Sequence, residues 1–439
     1  MSESKSRRNF LKGIATTAAG LPFLMNDAGP VRAMGHPETP AFKKSALEGI
    51  SNEKFWKLVR AEFPLTHERI YFNTGGLGPS PRYVIDATTQ MMLRINEISE
   101  TKHYLFDKIR KQAAEFVGCD TDELAFTRNA TEGMNIIARG AAQAMGLKAG
   151  DEIITTTHEH PGGAMPWLGL MKDLGVKIVL MDPVSDPDEN IARLLKRVSR
   201  KTKGISISHV TCTLGYKFPV KEICRAVHDR GLFCALDGAQ VVGMFPLDLH
   251  EIGCDFYTTS GHKWLLGPKG TGMVYIRKGI RDRFTPEFVG AYSNKKYDLD
   301  ELVLDYKDSA DATEYGTRNS ALVVGLGAAM DFLNTIGMTR VAEHGAKLAT
   351  HFKTEVQKIK NVSVLTPMDL NTSNSIATFK IKGMNYNAAV QELGRRKLRL
   401  RPVGEHHIDA VRVSFHVFNR MEEVDVLLKN IREMIERAG

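Results

Sequence analysis

One lysine and one aspartate in this chain have the types and settings that covalent amine chemistry needs. Lys263 sits in Thr258-Thr-Ser-Gly-His-Lys-Trp-Leu-Leu-Gly-Pro-Lys-Gly-Thr-Gly272, between small polar residues and a glycine-rich turn, ahead of the strand-like Met273-Val-Tyr-Ile276. Upstream, Asp237 follows the apolar run Leu232 to Leu236 in Leu232-Phe-Cys-Ala-Leu-Asp-Gly-Ala-Gln240. A short apolar run bounded by glycines reads as a buried strand. Asp237 then stands at the strand's carboxyl end, where open α/β sheets bind their ligands. A lysine can hold an aldehyde as a Schiff base and later move a proton. An aspartate can keep a pyridine nitrogen protonated, so that the ring accepts electrons. Together they are the two parts of a pyridoxal phosphate (PLP) site. The same pair also reads as a surface lysine and a strand-end acid capping a turn.

Other stretches bear on that choice. Phe126-Thr-Arg-Asn-Ala-Thr-Glu-Gly-Met-Asn-Ile-Ile137 reads as a strand running into a helix start at Asn129-Ala-Thr131. Free N–H groups and the helix dipole there suit a phosphate, with the Thr131 hydroxyl as a further donor. A plain capping box of Asn129 with Glu132 accounts for the same residues. His158 and His160 come just past another apolar strand. A histidine there could stack on an aromatic cofactor, and no third ligand of suitable spacing makes the His-x-His pair a metal site. Ile70-Tyr-Phe-Asn-Thr-Gly-Gly-Leu-Gly-Pro-Ser-Pro81 is a short strand entering a Gly/Pro loop that can approach a ligand closely or only turn the chain.

The elements that position these residues follow from periodicity. Strands alternate with helices from about 66 to 290, including Lys177 to Met181, Gly204 to His209 and a helix from Pro219 to Gly231. That pattern predicts an α/β domain with a largely parallel sheet and helices on both faces. From Gly316 the texture changes to a long helical stretch, Asn319 to Lys360, then short strands and helices ending in Glu422 to Ala438. The predicted organisation is an N-terminal segment and helix over 34–65, a large domain over 66–315 and a smaller α+β domain over 316–439. In the last of these, Arg401 and Arg412 come close in sequence to the polar loop Gly404-Glu-His-His407.

The 439 residues carry a net charge of +8, of which the first 33, with five Lys/Arg and two Asp/Glu, hold +3. The remaining +5 is too modest to argue for nucleic acid. Five cysteines, with no CxxC pair, make neither a zinc site nor a disulfide framework. The start, Ser6-Arg-Arg-Asn-Phe-Leu-Lys12, has the core of a twin-arginine export signal, followed by an apolar region (Gly13 to Met25) and a small-residue cleavage site at Val31-Arg-Ala33. The expectation is a periplasmic protein exported by the twin-arginine machinery and beginning near Met34.

Taken together, the stretches resemble fold-type-I PLP enzymes of the class V aminotransferase family, over nearly everything after about residue 66. The resemblance is carried in order by Thr127 to Asn135, Glu159-His160 to Pro166-Trp167, Asp237-Gly-Ala-Gln240, Ser260-Gly-His-Lys263, Gly316-Thr-Arg-Asn319, and Arg412-Val-Ser414 ahead of Phe418-Asn419. It implies that Lys263 holds the cofactor covalently, Asp237 pairs with the pyridine nitrogen and Gln240 bonds the ring hydroxyl. It further implies that His160 stacks on the ring, and that Ala130, Thr131, Ser260 and His262 hold the phosphate. Thr317 would reach the phosphate of a neighbouring subunit in a homodimer, and Arg412 would bind the substrate carboxylate.

The branch it resembles contains isopenicillin N epimerase and the cysteine desulfurases. Desulfurases carry a nucleophilic cysteine in the loop before the Arg412 strand, and Arg401 to Val411 contains none. They also place an asparagine near Thr211-Cys212-Thr213, absent here. These departures, with Trp264 and Gly316-Thr-Arg-Asn319, point to an isopenicillin N epimerase-like enzyme acting at the Cα of an amino acid or short peptide. Transamination and C–S cleavage on the same scaffold are the alternatives, with His160 and Glu405 as candidate proton sources on the second face. A non-catalytic binding protein predicts damage to the lysine, aspartate or phosphate residues, and none is visible. A dinucleotide-binding oxidoreductase lacks its G-x-G-x-x-G.

Overall fold

A computed structural model describes residues Leu47–Ala438. The expected export signal and the first part of the 34–65 segment lie outside the described residues. The rest of that segment forms a helix, Asn52–Ala61, capped by the Ser51 hydroxyl.

The strands in chain order are β1 (Ile70–Tyr71), β2 (Leu124–Thr127), β3 (Glu152–Thr156), β4 (Lys177–Met181), β5 (Thr202–Ser208), β6 (Phe233–Asp237), β7 (Phe256–Ser260) and β8 (Gly272–Ile276). They continue with β9 (Asn294–Asp298), β10 (Val303–Tyr306), β11 (Val362–Val364), β12 (Ile376–Ile381), β13 (Leu398–Arg399), β14 (Arg401–Val403) and β15 (Ala410–Ser414). Seven of them make one sheet in the order β2-β8-β7-β6-β5-β3-β4. The pairs from β4 through β7 are parallel, and only β8 runs against its neighbours. Every residue of β2, β6, β7 and β8 is buried. That explains their continuous apolar runs, since a sheet covered on both faces has no polar side. The β7–β8 reversal places the Lys263 turn at the same sheet end as the carboxyl end of β6.

A second sheet, β11-β12-β15-β14, is antiparallel and has its own core of Phe352, Phe379, Val413, Phe415 and Leu427. The chain does not divide at Gly316 as expected. Helix Ser320–Ile336 packs on helices Arg82–Ile98 and Leu105–Val117, and its Leu326, Met330 and Leu333 share a core with Val84 and Ile109. The second core takes over only in the helix Met338–Val356, after Gly337 breaks the predicted long helix at φ 92°. Sequence texture misled here because a helix buried over most of its surface is apolar on nearly every side, whichever core it serves. The expected domains also meet at the chain's other end, where β1 pairs in parallel with β13 in a separate two-stranded sheet. The hairpin β9–β10, unpredicted, is polar and half-exposed, so its alternation is weak.

Candidate active site

Lys263 follows β7 in a turn at the head of the seven-stranded sheet, and Asp237 is the last residue of the adjacent β6. Both line one cavity of about 310 Å³, with Ala130, Thr131, His160, Gln240, Ser260, His262 and Arg412. The expected cofactor and substrate residues are therefore brought together except Thr317, and the candidate proton source Glu405 is not among the lining residues. Thr317 is exposed and lines a different cavity with Arg128 and Arg318. The cavity also takes in residues the sequence reading did not assign: Gly75, Gly76, Asn129, Cys212, Ala239 and Arg401. The Gly/Pro loop signal pointed at the first two. Arg401 was marked only by its nearness to the polar Gly404–His407 loop, and no local signal marked Cys212 as a cavity residue.

The helix Ala130–Ala144 opens into the cavity with Asn129 as its cap, the Asn129 side chain accepting from Glu132 N–H at 2.9 Å. Glu132 reaches back to the Arg128 N–H rather than that of Asn129, so the Asn129 cap forms without the reciprocal bond of the expected capping box. Ala130 N–H donates to Ser260 Oγ at 3.2 Å, which ties the helix start to the end of β7. His262 Nδ1 is buried without a protein partner. A buried polar atom in want of a partner beside a helix N-terminus fits the phosphate of PLP.

Around the ring position, Asp237 Oδ1 accepts from Ala239 N–H at 2.8 Å. A Cβ on Gly163 would come within 2.9 Å of Asp237 Oδ2, so the bare backbone there leaves that oxygen its space. His160 caps the helix Pro161–Leu174, its Nδ1 accepting from Gly162 N–H at 3.0 Å. That bond requires the neutral ring, and burial with the nearby Lys263 charge holds the imidazole below its ordinary value. His158, two residues earlier, turns away to Thr213 Oγ1 at 2.9 Å and lies outside the cavity lining. Gln240 has its oxygen on Trp264 Nε1 (2.8 Å) and one N–H on the Gly75 carbonyl (2.9 Å), leaving its second N–H for a ring hydroxyl. Burial lowers the Lys263 amine from its usual value, against the pull of Asp237. Behind Asp237, burial pushes Glu159 up to about 7, although it accepts from Thr156 Oγ1 (2.6 Å) and Ser208 N–H (3.1 Å).

Arg412 is 1% exposed, with Nη1 on the Cys212 carbonyl (2.6 Å) and Nη2 on Asn73 Oδ1 (2.9 Å). Both partners are neutral, and Nε has none. Burial pulls this guanidinium down to about 9, with Arg401 adding to the effect. A buried cation without a counter-ion fits a carboxylate ligand. Away from the cavity, Asp120, Glu123 and His250 gather three ligand-type atoms. Glu123 there already accepts from His250, Asp120 N–H and Lys278 N–H, a network that ties elements together.

The family model for aminotransferase class V matches residues 70–427. The chain belongs to that family. As a class V enzyme it is PLP-dependent, and the cavity residues fit that cofactor. A probable cysteine desulfurase of Pyrococcus abyssi is 28% identical over 397 residues, 86% of this chain and 97% of that one. One from Methanothermobacter thermautotrophicus is 29% identical over 400 residues, with the same coverage. Among solved structures, the apo cysteine desulfurase of Thermococcus onnurineus NA1 is 26% identical with a TM-score of 0.77, covering 87% of this chain and 98% of that one.

These class V relatives overturn the isopenicillin N epimerase-like reading, which set desulfurases aside. That reading leaned on one loop, one strand-end position, Trp264 and Gly316-Thr-Arg-Asn319. A residue missing from the Gly404–Asp409 loop changes where a leaving sulfur can go, and it leaves the scaffold that holds cofactor and carboxylate intact.

Proposed function

We propose that this chain is a PLP-dependent C–S lyase acting on a cysteine-type amino acid. The observation that carries it is the convergence of Lys263, Asp237 and the partner-seeking Arg412 on one cavity, in a chain whose relatives are described as cysteine desulfurases. Arg412 binds the substrate carboxylate through Nε and the neighbouring N–H, orienting Cα toward Lys263. Lys263 Nζ, made less basic by burial, takes the Cα proton and returns one. With the cofactor bound, Asp237 would keep the ring nitrogen protonated and neutral His160 would cover the ring without adding charge. When bound, PLP supplies the electron sink that lets a bond at Cα or Cβ break.

The test is to incubate the holoenzyme with L-cysteine and L-cystine and to measure sulfide, pyruvate and alanine. Pyruvate with sulfide marks elimination, and alanine marks sulfur handed to a thiol. Turnover to a keto acid with the sulfur retained, or inversion at Cα alone, would end the C–S lyase reading.

We further propose that the enzyme is a homodimer exported by the twin-arginine route. Thr317 supports the dimer, because it is exposed and does not line the Lys263 cavity of its own chain. Ser6 to Lys12 and Val31-Arg-Ala33 support export with cleavage near Ala33. Light scattering checks the first, and N-terminal sequencing of the fractionated protein checks the second. An intact Met1 in the cytoplasm would exclude export.

A further inference from the structure

Cys224 and Cys234, ten positions apart in the chain, bring their sulfurs to 2.8 Å. Two unbonded sulfurs ordinarily stand farther apart than that, and a disulfide sets them at about 2.05 Å. Both residues are buried, at 1% and 0% exposure. Cys224 lies on the inward face of the helix Val220–His228, with Val220, Ile223 and Val227. Cys234 is the second residue of β6, the strand that ends in Asp237. One carboxylate oxygen fixes how the two elements meet. Asp255 Oδ2 accepts from the Cys234 N–H at 2.8 Å and lies 2.8 Å from His228 Nε2, one helical turn beyond Cys224. The Leu232 N–H adds a bond to the Val227 carbonyl at 3.1 Å. β6 itself is held on both sides, by β5 and β7. The approach of the two sulfurs is therefore set by the backbone. Cys254, next to Asp255 in the chain, is buried too and is bonded to neither sulfur.

We infer that Cys224 and Cys234 are a modification site: an oxidisable pair that closes as an intramolecular disulfide and fastens the helix Val220–His228 to the strand carrying Asp237. The oxidant is another disulfide. The Cys224 thiolate attacks one of its sulfurs, the old S–S bond breaks and one thiol leaves. Cys234 gives up its proton and displaces the second thiol, which forms the Cys224–Cys234 bond. Two protein thiols are oxidised, and one disulfide is reduced to two thiols. The helix is the way in. Its outer residues Lys221, Glu222 and Arg225 are exposed, as are Asp229 to Gly231 after it. A short helix held by one apolar face opens locally at less cost than the sheet beneath it. Once closed, the bond restricts the unfolded chain, so the oxidised protein is harder to unfold. The pair escapes a reading by spacing, because residues ten apart meet only after the helix folds back on β6. The inference holds whichever reaction the Lys263 cavity performs.

The experiment equilibrates the PLP-loaded enzyme across a series of reduced and oxidised glutathione ratios, with and without urea below the unfolding midpoint to open the helix. Acid quenching, alkylation in denaturant and mass spectrometry then count the thiols. The expected result is the joint loss of two of the five thiols, and a non-reduced tryptic digest in which Glu222–Arg225 is joined to Gly231–Lys263. Cys254→Ser should keep that link, which separates Cys234 from Cys254 within the second peptide. Cys224→Ala and Cys234→Ala should each abolish it. The urea midpoint of the wild type should rise on oxidation and return on reduction, and that of Cys224→Ala should ignore the glutathione ratio. Five thiols retained at the most oxidising ratio, in urea as well as without it, overturn the inference. So does a link through Cys119, Cys212 or Cys254, or an oxidised chain that unfolds no later than the reduced one. If an alanine variant fails to fold, the wild-type thiol count and peptide map decide alone.

Discussion

Gly78 and Lys263 touch through their backbones. The Gly78 N–H donates to the His262 carbonyl at 2.7 Å, and a Cβ built on Gly78 would lie 1.9 Å from the Lys263 carbonyl oxygen. Ser80 Oγ adds a bond to the Gly267 carbonyl at 3.1 Å, and Lys269 Nζ one to the Gly78 carbonyl at 3.2 Å. The N-terminal Gly/Pro loop thus clamps the turn that carries Lys263. Gly78→Ala must push backbone apart, because no flexible side chain is there to yield. The expected cost is about 1–3 kcal/mol of stability, read by urea unfolding, together with weaker PLP retention on gel filtration. A variant with wild-type stability and cofactor content would show that the clamp is slack.

Lys263→Ala should fold and lose the covalent link. Borohydride reduction of the wild-type holoenzyme should fix the cofactor's mass on the tryptic peptide containing Lys263, and no such adduct should form in the variant. Turnover should fall by about 10²–10⁴-fold, the range for a positioned proton-transfer group. An adduct at Lys269 or elsewhere would reassign the site.

Arg412→Lys keeps the charge and loses the fork that reaches Cys212, Asn73 and the substrate together. The expected outcome is a rise in KM for amino-acid substrates of about 10–100-fold, matching the loss of hydrogen bonding to a charged group. Amines lacking the carboxylate should bind no worse than to the wild type. An unchanged KM for the amino acid would remove Arg412 from carboxylate binding.

Glu159 makes stability depend on pH. Its carboxyl, pushed up to about 7 chiefly by burial, with nearby Asp237 adding to the rise, keeps a proton in the folded chain that an unfolded chain releases in the ordinary carboxylate range. The folded state therefore binds more protons between that range and about pH 7. Stability from this group is fully present at low pH and is lost as pH rises through about 7. Glu159→Gln stays neutral throughout. Its stability relative to the wild type, from urea unfolding at pH 5, 6, 7 and 8, should improve steadily with pH. A difference that is flat with pH would place the Glu159 pKa in the normal range.

The cofactor end of the site was legible because its parts are local. An apolar run ending in Asp237, small residues before Lys263 and a cap at Asn129 each carry their meaning within a few positions. Burial on both faces makes β6 and β7 apolar throughout, and adjacent parallel strands end together, so the lysine and the aspartate had to meet. The residues that recognise a substrate were less legible. Arg412 entered through a family resemblance, Arg401 only through its nearness to the polar Gly404–His407 loop, and Cys212 without a role. Their placement depends on partners far away in the chain: Asn73 meets Arg412 across 339 positions, and Cys212 across 200.

By itself, then, the sequence determined the alternating α/β order, the phosphate-type helix start, the lysine and aspartate and the family they belong to. Only the tertiary structure decided that the helix Ser320–Ile336 serves the first core, that the N-terminal loop clamps Lys263, and that Arg401 and Arg412 face each other with Glu405 bonded to Arg401 alone. The physical reason is range. Periodicity and capping are written in neighbours along the chain, whereas register between β14 and β15 and the approach of Gly78 to Lys263 are set by packing that no local pattern encodes.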